Sequence, residues 1–320
     1  MNEILKKLYL DGMVPAVKLE NAESAAPVAK ALYAGGIRNI EITFRTAAAE
    51  KAIYEIADKC PEMTVGAGTV LTAAQASAAK NAGARFIVAP GYNPKTVDWC
   101  LENGIAIVPG CSCCSDIEFA LEAGLEAVKL FPVEQLGGLA YIKALSGPYS
   151  KMRYLPTGGV NLDNIADYVK NPKVLAVGGS FIAPQDAIAA GDYKRITALA
   201  EETVKRIHGF KFCHLGINCA DGDEAALTAG KFNKLLGLSN DDRGGAVFTE
   251  GIFEIIKKKG RGDKGHIAVS TNNCDRAAEF IKRRGGKLIE DSCEYYPDGR
   301  LRVAYLDEDF SGFALHIINA

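Results

Sequence analysis

Two charged side chains stand inside apolar runs, and their chemistry is the first thing the sequence offers. Lys129 interrupts AVKLFP (127–132), and Glu41 interrupts IRNIEITF (37–44), with Arg45 just beyond it. A lysine held among apolar residues is costly as a cation. Burial and a neighbouring cation favour the neutral amine, the form that attacks a ketone. A carboxylate beside it is suited to moving protons, and Arg45 presents a planar fork for a substrate carboxylate. The competing reading is an internal Lys129–Glu41 ion pair without catalytic duty, since pairing is the usual fate of buried charges. Glycines add a second kind of chemistry. PTGGV (156–160) and VGGS (177–180) bring backbone N–H groups close to an anion, and the helices that follow add positive potential. One such pair would only permit a tight turn. A lysine, a carboxylate, an arginine and two glycine loops together point to a phosphorylated keto acid.

The elements that must position these residues alternate along the chain. Short β-branched or apolar runs occur at VPAVK (14–18), IRNIEITF (37–44), TVGAGTV (64–70), RFIVAP (85–90), IAIVPG (105–110), AVKLFP (127–132), RYLPTGG (153–159) and VLAVGGS (174–180). Ala-rich stretches of helical period lie between them, among them SAAPVAKALYAGG, AAAEKAIYEIADK and SDIEFALEAG. Strand then helix, repeated with short connections, predicts parallel strands joined by crossover helices. The fold class expected is α/β, a (β/α)8 TIM barrel at the small end of its size range. An open doubly wound sheet is the alternative, but it carries one glycine-rich turn and this chain carries several. In a barrel strand, residues alternate between the lumen and the helix-facing side. Ile40, Ile42 and Phe44 take the helix side, so Glu41, Thr43 and Arg45 face inward. Lys129 and Phe131 face inward opposite Val128 and Leu130.

The bulk composition excludes several function classes. The chain has 320 residues, 48% hydrophobic and 24% charged, with a formal net charge of -2. That balance gives no electrostatic case for nucleic acid or an anionic membrane as partner. MNEILKKLYLDG lacks the apolar core of a secretory signal, and no stretch approaches the ~18 apolar residues of a membrane span. Nine cysteines without such a signal read as reduced thiols. The cytoplasm is the expected compartment.

After Gly209 the texture changes. A strand at 210–218, a helix at 223–237 and strands in AVFTE and IFEIIKKKG are followed by the same order again. The second copy runs KGHIAVST (264–271), the helix DRAAEFIKRRGG, then KLIEDS, RLRVAYLDED and FALHIIN. This is a βαβββ unit written twice. The expected domains are therefore 1–209, the barrel, and 210–320, an α+β domain of two βαβββ repeats.

The strings GGIRNIEITFRT (35–46), GAGTVL (66–71), APG (89–91), VPG (108–110), VKLFP (128–132), PTGGV (156–160) and AVGGS (176–180) resemble the motifs of one family. That family is the 2-keto-3-deoxy-6-phosphogluconate (KDPG) and 4-hydroxy-2-oxoglutarate (KHG) aldolases, and the resemblance covers roughly residues 1–207. It implies that Lys129 forms a Schiff base and that Glu41 is the general acid and base. It further implies that Arg45 and Thr69 hold the pyruvate carboxylate, that Pro90 and Phe131 wall the pocket, and that Thr157 lies beside the bound keto acid. Gly158, Gly159, Gly178, Gly179 and Ser180 would hold the phosphate. A homotrimer needing no cofactor or metal for the aldol chemistry is implied as well. One departure is Cys113-Cys114-Ser115-Asp116, where the family has Thr-Pro-Ser-Glu. Ser115 or Asp116 can still cap a helix there.

The doubled unit resembles the vicinal-oxygen-chelate (glyoxalase-like) fold, over about 211–320. The resemblance implies metal ligands at His214, Glu254, His266 and His316, in a chain with only four histidines. Imidazole and carboxylate suit a divalent transition metal. A histidine at 316, where a glutamate is commoner, is a departure. The plainer reading has these histidines as satisfied strand residues in a module kept for assembly or binding. Two further functional readings compete with the aldolase. One is another phosphosugar-binding barrel, an isomerase or decarboxylase. The other makes the C-terminal domain a metabolite- or metal-sensing module.

Overall fold

The apolar runs of the first half become short parallel strands because each is covered on both faces, by lumen on one side and helices on the other. The computed structural model describes residues 1–320, and the chain divides into Met1–Ile207 and His208–Ala320. Strands Met13–Val17, Asn39–Thr43, Thr64–Gly68, Phe86–Val88, Ala106–Val108 and Val177–Gly179 form a 6-stranded sheet. Gly110–Cys111, Ala127–Leu130 and Arg153–Pro156 form a 3-stranded one. Between Val108 and Gly110 the chain passes through Pro109, which has no N–H to give to a ladder. Isolated parallel bridges, Tyr154 with Val174 and Thr157 with Gly178, connect the smaller sheet to the last strand. Val177–Gly179 in turn pairs with Met13–Val17. The pairing thus runs round a ring, a TIM-barrel-like α/β fold.

The strands are shorter than the apolar runs that announce them, because the last residues of each run belong to the loops at the C-terminal mouth. The opening residues form a helix, Glu3–Asp11, capped by the Asn2 side chain at Leu5 N–H. Its Leu5, Leu8 and Tyr9 join Val14, Phe86, Val108 and Leu155 in one buried cluster. A further helix, Gly138–Ser146, follows Ala127–Leu130. The glycines at 137 and 138 obscure it in the sequence.

In the second unit an 8-stranded sheet carries a helix from each repeat. The first repeat runs Lys211–Asn218, helix Gly222–Leu236, Asn240–Asp242, Ala246–Thr249 and Phe253–Ile256. The second runs Gly265–Thr271, helix Cys274–Arg283, Glu294–Tyr295, Leu301–Tyr305 and Phe313–Asn319. The two first strands pair antiparallel, and each pairs parallel with the last strand of its own repeat. Ala225 and Ala229 of one helix pack with Val247 and Ile255. Cys274, Ala277 and Ala278 of the other pack with Leu301, Ala304 and Ile317. KLIEDS, expected as a strand, instead gives one bridge at Leu288 and a 3-10 turn, Glu290–Ser292. No helix of the chain is long and apolar enough to cross a membrane.

Candidate active site and candidate metal centre

The second strand, Asn39–Thr43, is buried throughout, and its alternation sends Glu41, Thr43 and, just past its end, Arg45 into one cavity of about 420 Å³. Lys129 and Phe131 reach the same cavity from the sixth barrel strand, Ala127–Leu130. Glu41 and Lys129 are 2% and 6% exposed. Burial pushes the Glu41 carboxyl above its ordinary range, and the positive charges of Lys129 and Arg45 only partly offset this.

Room for Glu41 comes from its neighbours. Its ladder partners are Ala16 and Gly66, and its carboxylate leans over Gly68, where any Cβ would collide with Oε1. The Lys129 N–H donates to the Pro109 carbonyl at 2.8 Å, and its Nζ lies 5.3 Å from the Phe131 ring centre. Arg45 Nε donates to Thr69 Oγ1 at 3.3 Å. Thr69 itself adopts φ 55°, a conformation that a β-branched residue keeps only under constraint.

The cavity floor is the loop after Arg153–Pro156. Gly158 and Gly159 have φ of 95° and 89°. Three successive carbonyls of this loop are tied from behind. Val133 N–H donates to Thr157 O at 2.8 Å, Glu134 N–H to Gly158 O at 3.2 Å, and Asn164 Nδ2 to Gly159 O at 3.3 Å. Pro90, Thr157, Gly179 and Ser180 line the cavity as well. Gly178 does not. It lies behind Thr157, where a Cβ would strike Oγ1, so it makes room for that side chain and does not face an anion. Sequence reasoning missed Lys18 and Gln185, which also line the cavity. Lys18 ends the VPAVK run as Arg45 follows IEITF, and that shared position was the signal available. At the CCSD departure, Asp116 accepts the N–H groups of Ser112 and Cys113 at 2.8 and 3.3 Å. Asp116 thus does the capping, and Ser115 does not.

In the second unit, Ile255 and Ile317 face the helices, so the period of two turns Glu254 and His316 to the other face. There the expected ligands meet. His214 Nε2, His266 Nε2 and Glu254 Oε2 are mutually 3.1 Å apart. Donor atoms of His214, His266 and His316 lie within 4.8 Å of one another. Both ring nitrogens of buried His316 lack a hydrogen-bond partner. Burial opposes ionisation of Glu254, but hydrogen bonds from His214 and His266 outweigh it and hold its pKa at about 2. Imidazole nitrogens beside a carboxylate oxygen are the donor types that suit a divalent transition metal. Gly216 pairs with His266, and a Cβ there would strike the imidazole. Phe248 and Tyr305 flank the cluster.

Known proteins resemble the first unit. The family model for KDPG and KHG aldolase matches residues 2–199. A 2-dehydro-3-deoxy-phosphogluconate aldolase of Treponema pallidum is 50% identical over 205 residues, 64% of this chain and 98% of that protein. A KHG/KDPG aldolase of Escherichia coli K12 is 43% identical over 193 residues, 60% of this chain and 91% of that one. Among solved structures, a KDPG aldolase of Legionella pneumophila, with pyruvate captured as a covalent carbinolamine, is 34% identical with a TM-score of 0.60. The match covers 62% of this chain and 97% of that one. A Zymomonas mobilis counterpart with 3-phosphoglycerate is 36% identical, also at 0.60, covering 64% and 96%.

Proposed function

We propose, for a chain that belongs to the KDPG and KHG aldolase family, that Lys129 and Glu41 perform the cleavage in the cavity they share. The chain is a carbon–carbon lyase, a class I aldolase. The substrate class we assign is a 2-keto acid with a hydroxyl at C4 and an anionic far end. 2-Dehydro-3-deoxy-6-phosphogluconate would give pyruvate and glyceraldehyde 3-phosphate, and 4-hydroxy-2-oxoglutarate would give pyruvate and glyoxylate. The observation that carries this reading is that Lys129, Glu41 and Arg45, from two strands, open into one cavity floored by Thr157–Gly159.

The Lys129 amine attacks the C2 carbonyl, and loss of water leaves an iminium. Glu41 takes the C4 hydroxyl proton as the C3–C4 bond breaks and its electron pair enters the iminium. Glu41 then returns the proton to C3 of the enamine, and water releases pyruvate from Lys129. Arg45 and Thr69 orient the carboxylate at C1. Pro90 and Phe131 wall the pocket, and Gly158, Gly159, Gly179 and Ser180 receive the phosphate. An isomerase or decarboxylase on the same frame has no need of an imine. Borohydride with pyruvate is expected to add a covalent mass at Lys129, while Lys129→Ala keeps its fold and loses cleavage. No added mass on the native chain overturns the scheme.

The second unit supports a separate reading, a glyoxalase-like module of the vicinal-oxygen-chelate type holding a divalent transition metal. His214, Glu254, His266 and His316 would be its ligands, and the unpartnered His316 ring favours this over a plain binding module. When bound, the ion supplies Lewis acidity. A homotrimeric assembly through the barrel belongs to the same proposal.

A further inference from the structure

The second strand brings a third side chain into the cavity, between the acid and the arginine. Thr43 is 4% exposed and lines the cavity, yet its Oγ1 has no hydrogen-bond partner within the protein. The other threonines of the pocket are engaged. Thr69 Oγ1 accepts from Arg45, and Thr157 Oγ1 donates to Leu155 O at 3.3 Å. A buried hydroxyl left without a partner is rare and costly, and a group bound in the cavity that Thr43 lines can supply the one it lacks. The neighbouring strand says where that partner sits. Thr43 pairs with Gly68, and the Glu41 carboxylate leans over that same Gly68. Carboxylate and hydroxyl therefore lie at one level of the cavity wall without bonding to each other.

We propose that Thr43 is a further catalytic residue, whose hydroxyl donates a hydrogen bond to the substrate's C4 oxygen while Glu41 removes that oxygen's proton. The inference rests on the aldolase reading above. Thr43 keeps its own proton throughout. The C4 proton passes to Glu41, the C3–C4 electron pair enters the iminium, and the C4 oxygen leaves as the aldehyde carbonyl. Negative charge builds on that oxygen as the bond breaks, and a preset donor is worth most at such a moment.

Thr43→Val removes the hydroxyl at nearly constant shape, and Thr43→Ser keeps it. Cleavage of 2-dehydro-3-deoxy-6-phosphogluconate by Thr43→Val is expected at a kcat about ten- to a hundredfold lower, with KM little changed. Thr43→Ser should recover most of the rate. Two partial reactions never involve C4, namely borohydride trapping of pyruvate and exchange of its methyl hydrogens in deuterated water. Both should proceed in Thr43→Val as in the parent chain. Its thermal midpoint should stay level or rise, because an unpaired buried hydroxyl is gone. An unchanged kcat overturns the proposal, and so does a loss of trapping and exchange in step with cleavage. A parent chain that traps no pyruvate fells the Lys129 scheme first and this proposal with it, and that result precedes any Thr43 variant.

Discussion

At the scale of single residues, the site is a set of side chains kept against their solvation preference. Glu41 has an ordinary value of 4.5 and is raised by burial, so the folded chain holds its proton more tightly than the unfolded one. Stability from that carboxyl is complete below the unfolded value and declines as pH rises through the folded one. Glu41→Gln should therefore melt higher than the parent at pH 7.5, by at least about 2 °C, and show no such gain at pH 4. Its kcat should fall by about 10²–10⁴. A calorimetric pH series checks the first expectation and steady-state rates the second. Lys129 and Glu41 were legible because charges are conspicuous in apolar runs. Thr43 was legible as facing the lumen with them but not in its role, because threonine is an ordinary strand residue and only its unpartnered Oγ1 sets it apart. Gly178 was misread for the converse reason. A glycine shows that a Cβ is absent, but not which neighbour needs the space.

At the scale of elements, the period of two did most of the positioning, and the loops did the rest. Alternation in IRNIEITF and AVKLFP was enough to aim Glu41, Arg45, Lys129 and Phe131 at one lumen. The glycine loops were visible as composition, but their rear anchoring by Val133, Glu134 and Asn164 depends on contacts no spacing announces. Gly158 has φ 95°, and a Cβ there would lie 3.1 Å from Pro132 Cα. Gly158→Ala should strain this loop by about 1–3 kcal/mol. KM for a phosphorylated substrate is then expected to rise about tenfold or more, while borohydride still traps pyruvate at Lys129. The elements missed were those without the usual markers of their kind. Asn240–Asp242 is a wholly polar, exposed edge strand, and Gly138–Ser146 begins on a glycine.

At the scale of the whole molecule, the chain joins a ring of parallel strands to a sheet unit written twice. Both were legible, the first from recurring strand–helix texture and the second from recurrence of an entire unit. The set His214, Glu254, His266 and His316 was legible only through the resemblance of that unit to the vicinal-oxygen-chelate fold, and these side chains meet because strands far apart in sequence pair at its centre. Zinc or nickel ions should bind once per chain by elemental analysis. At a hundredfold excess over its Kd, such an ion should stabilise the chain by about 2.7 kcal/mol. Glu254→Gln and His316→Ala should each abolish the shift, and a parent chain whose melting ignores the metals would refute the site. The two copies match at their first strands, with His214 answering His266, and differ at their last, with Glu254 answering His316. The repeated unit thus arranges these side chains about a near-twofold relation and departs from it at one position. Whatever the proposed centre held would meet a carboxylate from one repeat and an imidazole from the other, two unlike sides of a single place.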